Sequence, residues 1–109
     1  MGFGAYRNNQ GRIAEILFDA ECLDRDYRVF AAVSPGEDWD RVVNGHNVDI
    51  KMSSNKRHCE VGLNRVAELD FFAVFFASRF LWYIFPVEAV PHKRFYYGDE
   101  WMGRWDLLR

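Results

Sequence analysis

The chain has 109 residues, the length of a single domain, and we expect residues 1–109 to form one. Hydrophobic residues make up 50% and aromatic residues 17% of the sequence, a composition that excludes a disordered protein. The formal net charge is −2, which argues against a large DNA-binding surface because phosphate contacts need cationic side chains.

Nothing in the sequence indicates a membrane or secreted protein. Arg79 interrupts the longest apolar run, which leaves no segment long enough to cross a bilayer. The N-terminus lacks the charged region and apolar core of a signal peptide. Cys22 and Cys59 are interpreted as free thiols, with a single disulfide as the alternative. We therefore expect a cytoplasmic protein, in the host cytoplasm if the chain is viral.

The first periodic segment predicts a helix from about Gly11 to Arg25, with Asn9 as a candidate N-cap. Its apolar residues form two stripes at helical spacing, so we expect burial on more than one side. Arg12, Glu15 and Asp19 share the remaining polar surface. The first apolar stripe is Ile13, Ile16, Leu17, Ala20 and Leu23, and the second is Ala14, Phe18 and Cys22.

A strand is predicted from Tyr27 to Val33, and a loop follows at residues 34–38. Asn44-Gly45 then indicates a tight hairpin turn, because such a turn needs positive φ angles at its centre. The hairpin is expected to extend from Asp40 to about Ser53.

The hairpin carries two carboxylates and a lysine. Asp40 begins its first strand, and Asp49 and Lys51 lie on its second strand. Side chains two residues apart on a strand project from the same face. Magnesium prefers a few carboxylate oxygens and keeps several waters. The pattern therefore predicts a divalent cation site with Lys51 beside it.

The order Glu15, Asp40, Asp49 and Lys51 resembles the PD-(D/E)xK nuclease superfamily, whose smaller members include the archaeal-type Holliday junction resolvases. Residues 11–15 are similar to the family's first helix, Asp40 matches its first motif carboxylate, and residues 49–51 match its (D/E)xK triplet. The resemblance covers roughly residues 7–90. It departs from the family at Trp39, which replaces the motif proline, and in having aspartate where glutamate is commoner.

The resemblance implies an α/β, restriction-endonuclease-like fold with a mixed central sheet flanked by helices. It also implies a Mg²⁺ cofactor, with Mn²⁺ able to substitute, bound by Asp40, Asp49 and the carbonyl of Ile50. Glu15 would contact the metal directly or through water, and Lys51 would orient the attacking water. The implied catalytic residues are Glu15, Asp40, Asp49 and Lys51.

The function implied by the resemblance is hydrolysis of DNA phosphodiester bonds, on branched DNA. One alternative is a restriction, repair or homing-type nuclease of the same fold, although the chain has little room for extra recognition elements. The other is a catalytically inactive module that binds nucleic acid or protein.

Basic and polar residues near this pattern are candidate DNA contacts. The polar run that follows the second hairpin strand is either a solvated loop or a phosphate-contacting loop. The candidate DNA-binding residues are Arg7, Arg12, Ser53, Ser54, Lys56 and Arg57.

The C-terminal half is dominated by two apolar runs, Phe71–Ala77 and Phe80–Phe85, which are typical of strands buried on both faces. Asp99 is a candidate N-cap for a final helix that carries Trp101 and Trp105. The helices are too few to cover so much apolar surface. We therefore expect a homodimer, because large exposed apolar patches usually mark interfaces.

Overall fold

The computed structural model describes residues 3–31, 40–53, 58–60, 68–90, 94–96 and 99–109. These residues contain one α-helix, seven short strands and three 3₁₀ segments. Helix α1 spans Phe3–Asp24; the strands are β1 Val29–Ala31, β2 Arg41–Val43, β3 His46–Ser53, β4 His58–Glu60, β5 Phe71–Phe76, β6 Leu81–Pro86 and β7 Arg94–Tyr96. The 3₁₀ segments are Val87–Ala89, Asp99–Trp101 and Trp105–Leu108.

Five strands form a mixed sheet in the order β1-β2-β3-β5-β6, while β4 and β7 form a separate two-stranded sheet. In the large sheet, β3 and β5 are parallel and the other neighbours are antiparallel. The β2–β3 turn has φ angles of 49° at Asn44 and 88° at Gly45, so the predicted hairpin is confirmed. Strand β3 lies at the centre of the sheet and is supported by β2 and β5.

Helix α1 packs on one face of the large sheet mainly through one apolar stripe. Ala14, Phe18 and Cys22 are each at most 1% exposed. The ring centroid of Phe18 lies 5.6 Å from those of both Trp82 and Trp105. Cys22 is a free thiol, and burial raises its pKa to about 12. This packing fixes the side of α1 that faces the hairpin.

The prediction that the other stripe of α1 is buried is wrong. Ile13, Ile16 and Leu23 are 49%, 64% and 65% exposed, and Ala20 is exposed as well. Leu17 alone in this stripe packs against the core. Periodicity identifies apolar stripes, but a helix that lies on one sheet buries only the stripe that faces it.

The helix also begins earlier than predicted, at Phe3 instead of Gly11. The first ten residues contain no proline, so nothing prevents the helix from continuing through the expected N-cap. No helix in the described ranges is long and apolar enough to cross a membrane.

The opposite face of the sheet has its own core. Phe72, Val74 and Phe76 of β5 pack there with Tyr83 and Phe85 of β6, all at most 2% exposed. Strands β5 and β6 are therefore buried on both faces, as predicted, but Ala77 and Phe80, at the ends of the predicted runs, are exposed in the turn between them. Among the described residues, this second face is covered by the chain segments that carry Leu69, Val87, Val90 and Trp101.

The predicted final helix does not form as one element. Met102 bridges to Tyr83 of β6, and the amide of Gly103 donates to the carbonyl of Trp82 at 2.8 Å. Gly103 has a φ of 63°, which interrupts a right-handed helix. Two short 3₁₀ segments result, and the second one places Trp105 and Leu108 in the core.

Candidate active site

Asp40 lies where β2 and β3 diverge. Its amide donates to the carbonyl of Val48 at 2.9 Å, and its side-chain Oδ2 accepts from the amide of Ile50 at 2.7 Å. The carboxylate thus replaces a main-chain acceptor just before the point where β2 begins. This hydrogen bond holds Asp40 beside the middle of β3.

Asp49 is largely buried and hydrogen-bonded to Asp40. Burial is the main reason that the pKa of Asp49 is raised to about 7, and the hydrogen bond with Asp40 raises it further. Lys51 acts in the opposite direction, with its Nζ 3.3 Å from Oδ2 of Asp49. The two acids and the lysine predicted from the hairpin therefore meet in the folded chain.

Glu15 reaches the same site from helix α1. Burial raises its pKa, and so do the negative charge of Asp40 and a hydrogen bond with it. Glu15 follows the buried Ala14 on α1, and the packing of α1 on the sheet turns it towards the hairpin. Asp40 thus lies between Glu15 and Asp49.

Arg41 and Asp19 belong to the same cluster, although no sequence pattern indicated a role for Arg41. The Arg41 Nε lies 2.9 Å from Asp19 Oδ1, and its Nη1 lies 3.9 Å from Glu15 Oε1. The available signal was the i, i+4 spacing of Glu15 and Asp19 on one side of a helix. It did not show which strand residue the two acids would face.

The donor set suits a hard cation that keeps much of its water. Within the described part of the chain, no three His, Cys, Asp or Glu side chains converge in a way that could hold a metal ion. Asp40 and Asp49 nevertheless provide two carboxylates in hydrogen-bond contact. Mg²⁺ commonly uses one or two carboxylates together with waters and substrate phosphate, so the pair fits this ion. Glu15 fits contact through water better than direct ligation.

The main chain of Ile50 adds a possible oxygen ligand. Its amide points towards Asp40, and the amide and carbonyl of one strand residue point to the same side of the strand. The Ile50 carbonyl therefore faces the gap that Asp40 occupies. This orientation suits the ligand role predicted for it.

The candidate DNA-binding residues are only partly within the described structure. Arg12 is exposed on α1, one turn before Glu15, and Ser53 is half-buried at the end of β3. The carbonyl of Ser53 accepts from the amide of Ala77 at 3.0 Å. Arg7 lies on α1, but its side chain is outside the described part, as are Ser54, Lys56 and Arg57.

Comparison with known proteins identifies a similar solved structure. No family model matches the chain, and no curated protein gives a significant match. The fold is similar to the solved structure of I-Ssp6803I, a bacterial homing endonuclease, with a TM-score of 0.72. The similarity covers 89% of this chain and 86% of that chain, at 18% sequence identity. The expected α/β, restriction-endonuclease-like fold is thereby confirmed.

The raised pKa of Asp49 predicts how stability changes with pH in metal-free buffer. The folded protein keeps a proton on Asp49 up to about pH 7, whereas the unfolded chain loses it near the ordinary value of 3.8. The free energy of unfolding therefore falls as pH rises through this window. Asp49→Asn should remove this pH-dependent loss of stability. The free energy of unfolding of the variant, taken relative to wild type, should therefore be roughly 1–3 kcal/mol higher at pH 7 than at pH 4.

Urea unfolding of both proteins across this pH range measures the difference. Asp106→Asn is the control of opposite sign, because Arg104 lowers the pKa of Asp106 and its charge is stabilising above pH 4. If the stability of wild type changes with pH in the same way as that of Asp49→Asn, the pKa of Asp49 is not raised in the folded protein and the prediction is wrong.

Proposed function

We propose that the protein is a metal-dependent endonuclease that hydrolyses DNA phosphodiester bonds. The observation that carries the proposal is the contact between Asp40, Asp49 and Lys51 at the diverging end of the β2–β3 hairpin. The fold supports it, because a chain of similar architecture is a bacterial homing endonuclease. The complete set of acids and lysine argues against an inactive binding module.

In this proposal Asp40 and Asp49 hold a Mg²⁺ or Mn²⁺ ion, aided by the Ile50 carbonyl and, through water, by Glu15. An ion held there would supply Lewis-acid chemistry: it would polarise the phosphate and lower the pKa of a bound water. Burial of Asp49 keeps a proton on the site without metal, and cation binding displaces that proton. The raised pKa values of Glu15 and Asp49 are thus consistent with a site that a bound cation would stabilise.

Lys51 has the second chemical role. Its ammonium group lies beside Asp49 and points from the same face of β3. From there it can orient the attacking water and offset the negative charge that develops on the phosphorane. Both roles need an ammonium group that can reach the bound water and the phosphate, and 38% of the Lys51 side chain is exposed.

The substrate is best supported as duplex DNA cut at a homing-type site. A lack of room for recognition elements was the argument against this option. The size of the chain does not exclude it, because the similarity covers 86% of the homing endonuclease chain as well as 89% of this one. Branched DNA, as implied by the resolvase resemblance, is the second candidate.

We also propose that the protein is a homodimer, but through a different surface from the one predicted. The apolar runs around β5 and β6 are buried within one chain. On α1, Ile13, Ile16, Ala20 and Leu23 instead form an exposed apolar stripe, whereas the other exposed large apolar side chains of the described residues, Phe30, Phe80 and Met102, lie on other elements. Their spacing of three, four and three residues reads the same in both directions, so the stripe can pair with its own copy about a two-fold axis in an antiparallel helix pair. Such a dimer supplies one active site for each DNA strand.

A cleavage assay tests the proposed function. The protein is incubated with supercoiled plasmid libraries, linear duplex and a four-way junction, each with Mg²⁺, with Mn²⁺ and with EDTA. Metal-dependent cleavage of duplex DNA at a defined sequence supports the homing-type activity. Cleavage confined to the junction supports the resolvase alternative, and no cleavage of any substrate contradicts the proposal.

Lys51→Ala should leave a folded protein that binds DNA but cleaves it about 10²–10³-fold more slowly, because it removes a charge that acts in the transition state. Single-turnover rates at saturating Mg²⁺ measure the effect, and filter binding in Ca²⁺ measures affinity. Lys51→Arg keeps the charge and should recover part of the rate. Near-wild-type turnover by Lys51→Ala would show that the triplet is misassigned.

Light scattering at micromolar concentration tests the dimer. The expected mass is twice the chain mass of 12.9 kDa. Ile16→Asp should give the monomer, because it places a charge in the centre of the apolar stripe. Phe30→Asp is the matched control, since Phe30 and Ile16 are both 64% exposed and Phe30 lies on β1. A wild-type monomer would refute the dimer, and loss of the dimer in both variants would refute its location.

A further inference from the structure

Arg41 joins helix α1 to the hairpin through a two-pronged ion pair. Its Nε donates to Oδ1 of Asp19 at 2.9 Å and its Nη2 donates to Oδ2 at 3.1 Å. The Arg41 side chain is only 16% exposed. A bidentate pair of this kind fixes direction as well as distance, so it sets how α1 lies against β2.

The remaining nitrogen of the same guanidinium faces the acids of the site. The Arg41 Nη1 donates to the carbonyl of Asp40 at 2.9 Å and lies 3.9 Å from Oε1 of Glu15. One cation therefore contacts the main chain of a proposed metal ligand and the side chain of a second acid. It also offsets the repulsion between Glu15 and Asp40 that is evident in the raised pKa of Glu15.

The helix geometry connects these contacts. Glu15 and Asp19 are four residues apart on α1, so they lie on the same side of the helix. The core contacts of α1 lie on the adjacent Ala14, Phe18 and Cys22 stripe. Apolar contacts alone leave a helix free to slide or rotate slightly, whereas the bidentate pair fixes the Glu15 turn opposite Asp40.

We propose that Arg41, held by Asp19, is a positioning residue that keeps Glu15 and Asp40 in the arrangement that binds the metal ion. This inference rests on the proposed function, and it adds a charged pair that touches neither DNA nor the ion. Groups that orient metal ligands typically change metal affinity or activity by about 10–100-fold when they are removed. We expect an effect of this size on metal affinity.

The Arg104–Asp106 pair provides a matched control. Its Nε–Oδ1 and Nη2–Oδ2 distances are 2.9 Å and 3.1 Å, the same as those of the Arg41–Asp19 pair. It lies at the C-terminal 3₁₀ segment. Asp19→Asn and Asp106→Asn therefore remove ion pairs of the same geometry, a part-buried one at the site and an exposed one away from it.

The experiment measures Mn²⁺ binding without DNA, by electron paramagnetic resonance of the free ion, for wild type and both variants. Asp19→Asn should weaken binding about 10–100-fold, while Asp106→Asn should bind like wild type. Cleavage by Asp19→Asn should need correspondingly more Mg²⁺ yet approach the wild-type rate at saturation. Arg41→Lys, which keeps the charge but loses the fork, should also weaken binding, and adding Asp19→Asn should change it little further.

The outcomes separate this inference from the proposed function. If wild type binds Mn²⁺ and cleaves DNA, and Asp19→Asn binds within twofold of it, the positioning role is wrong and the nuclease proposal stands. If wild type binds no Mn²⁺, both fail. Loss of the helical circular dichroism signal in both Asp19→Asn and Arg41→Lys would identify the pair as a fold-stabilising contact and would also overturn the inference.

Discussion

The hydrogen bond from the Ile50 amide to the Asp40 side chain is the contact on which the rest of the site depends. It places a carboxylate just before β2 begins, in the position beside β3 that a main-chain carbonyl would otherwise take. Glu15 then approaches this carboxylate from α1 and Asp49 approaches it from β3. The opening of the hairpin thus provides both the space for a ligand and the groups that face it.

Bringing these acids together costs stability, and the surrounding structure offsets that cost. Asp49 remains largely protonated until about pH 7, and the Arg41 guanidinium stands beside Glu15 and the Asp40 main chain. The supporting contacts are the parallel β3–β5 pairing and the aromatic cluster of Phe18, Trp82 and Trp105. A well-packed scaffold can hold like charges together in this way because its other contacts supply the missing free energy.

Sequence patterns predicted the elements that depend on local chemistry. Asn44-Gly45 specified the hairpin, strand alternation placed Asp49 beside Lys51, and continuous apolar runs indicated β5 and β6. The patterns failed where contacts between residues far apart in sequence determine the structure. The sheet buries the Ala14 and Phe18 side of α1 and leaves Ile16 exposed, and Gly103 joins β6 instead of continuing a helix. Arg41 was missed because its partner Asp19 is 22 residues away in sequence.

The central claim is that the acids at the open end of the hairpin bind a divalent cation in exchange for a proton. Calorimetric titration with Mn²⁺ in buffers of different ionisation enthalpy measures that exchange. Near pH 6 binding should release about one proton, falling towards zero well above pH 7, because the ligands must be deprotonated to bind. Asp49→Asn should abolish the release and greatly weaken binding. Tight binding without proton release at pH 6, or identical behaviour of Asp49→Asn, would contradict the account.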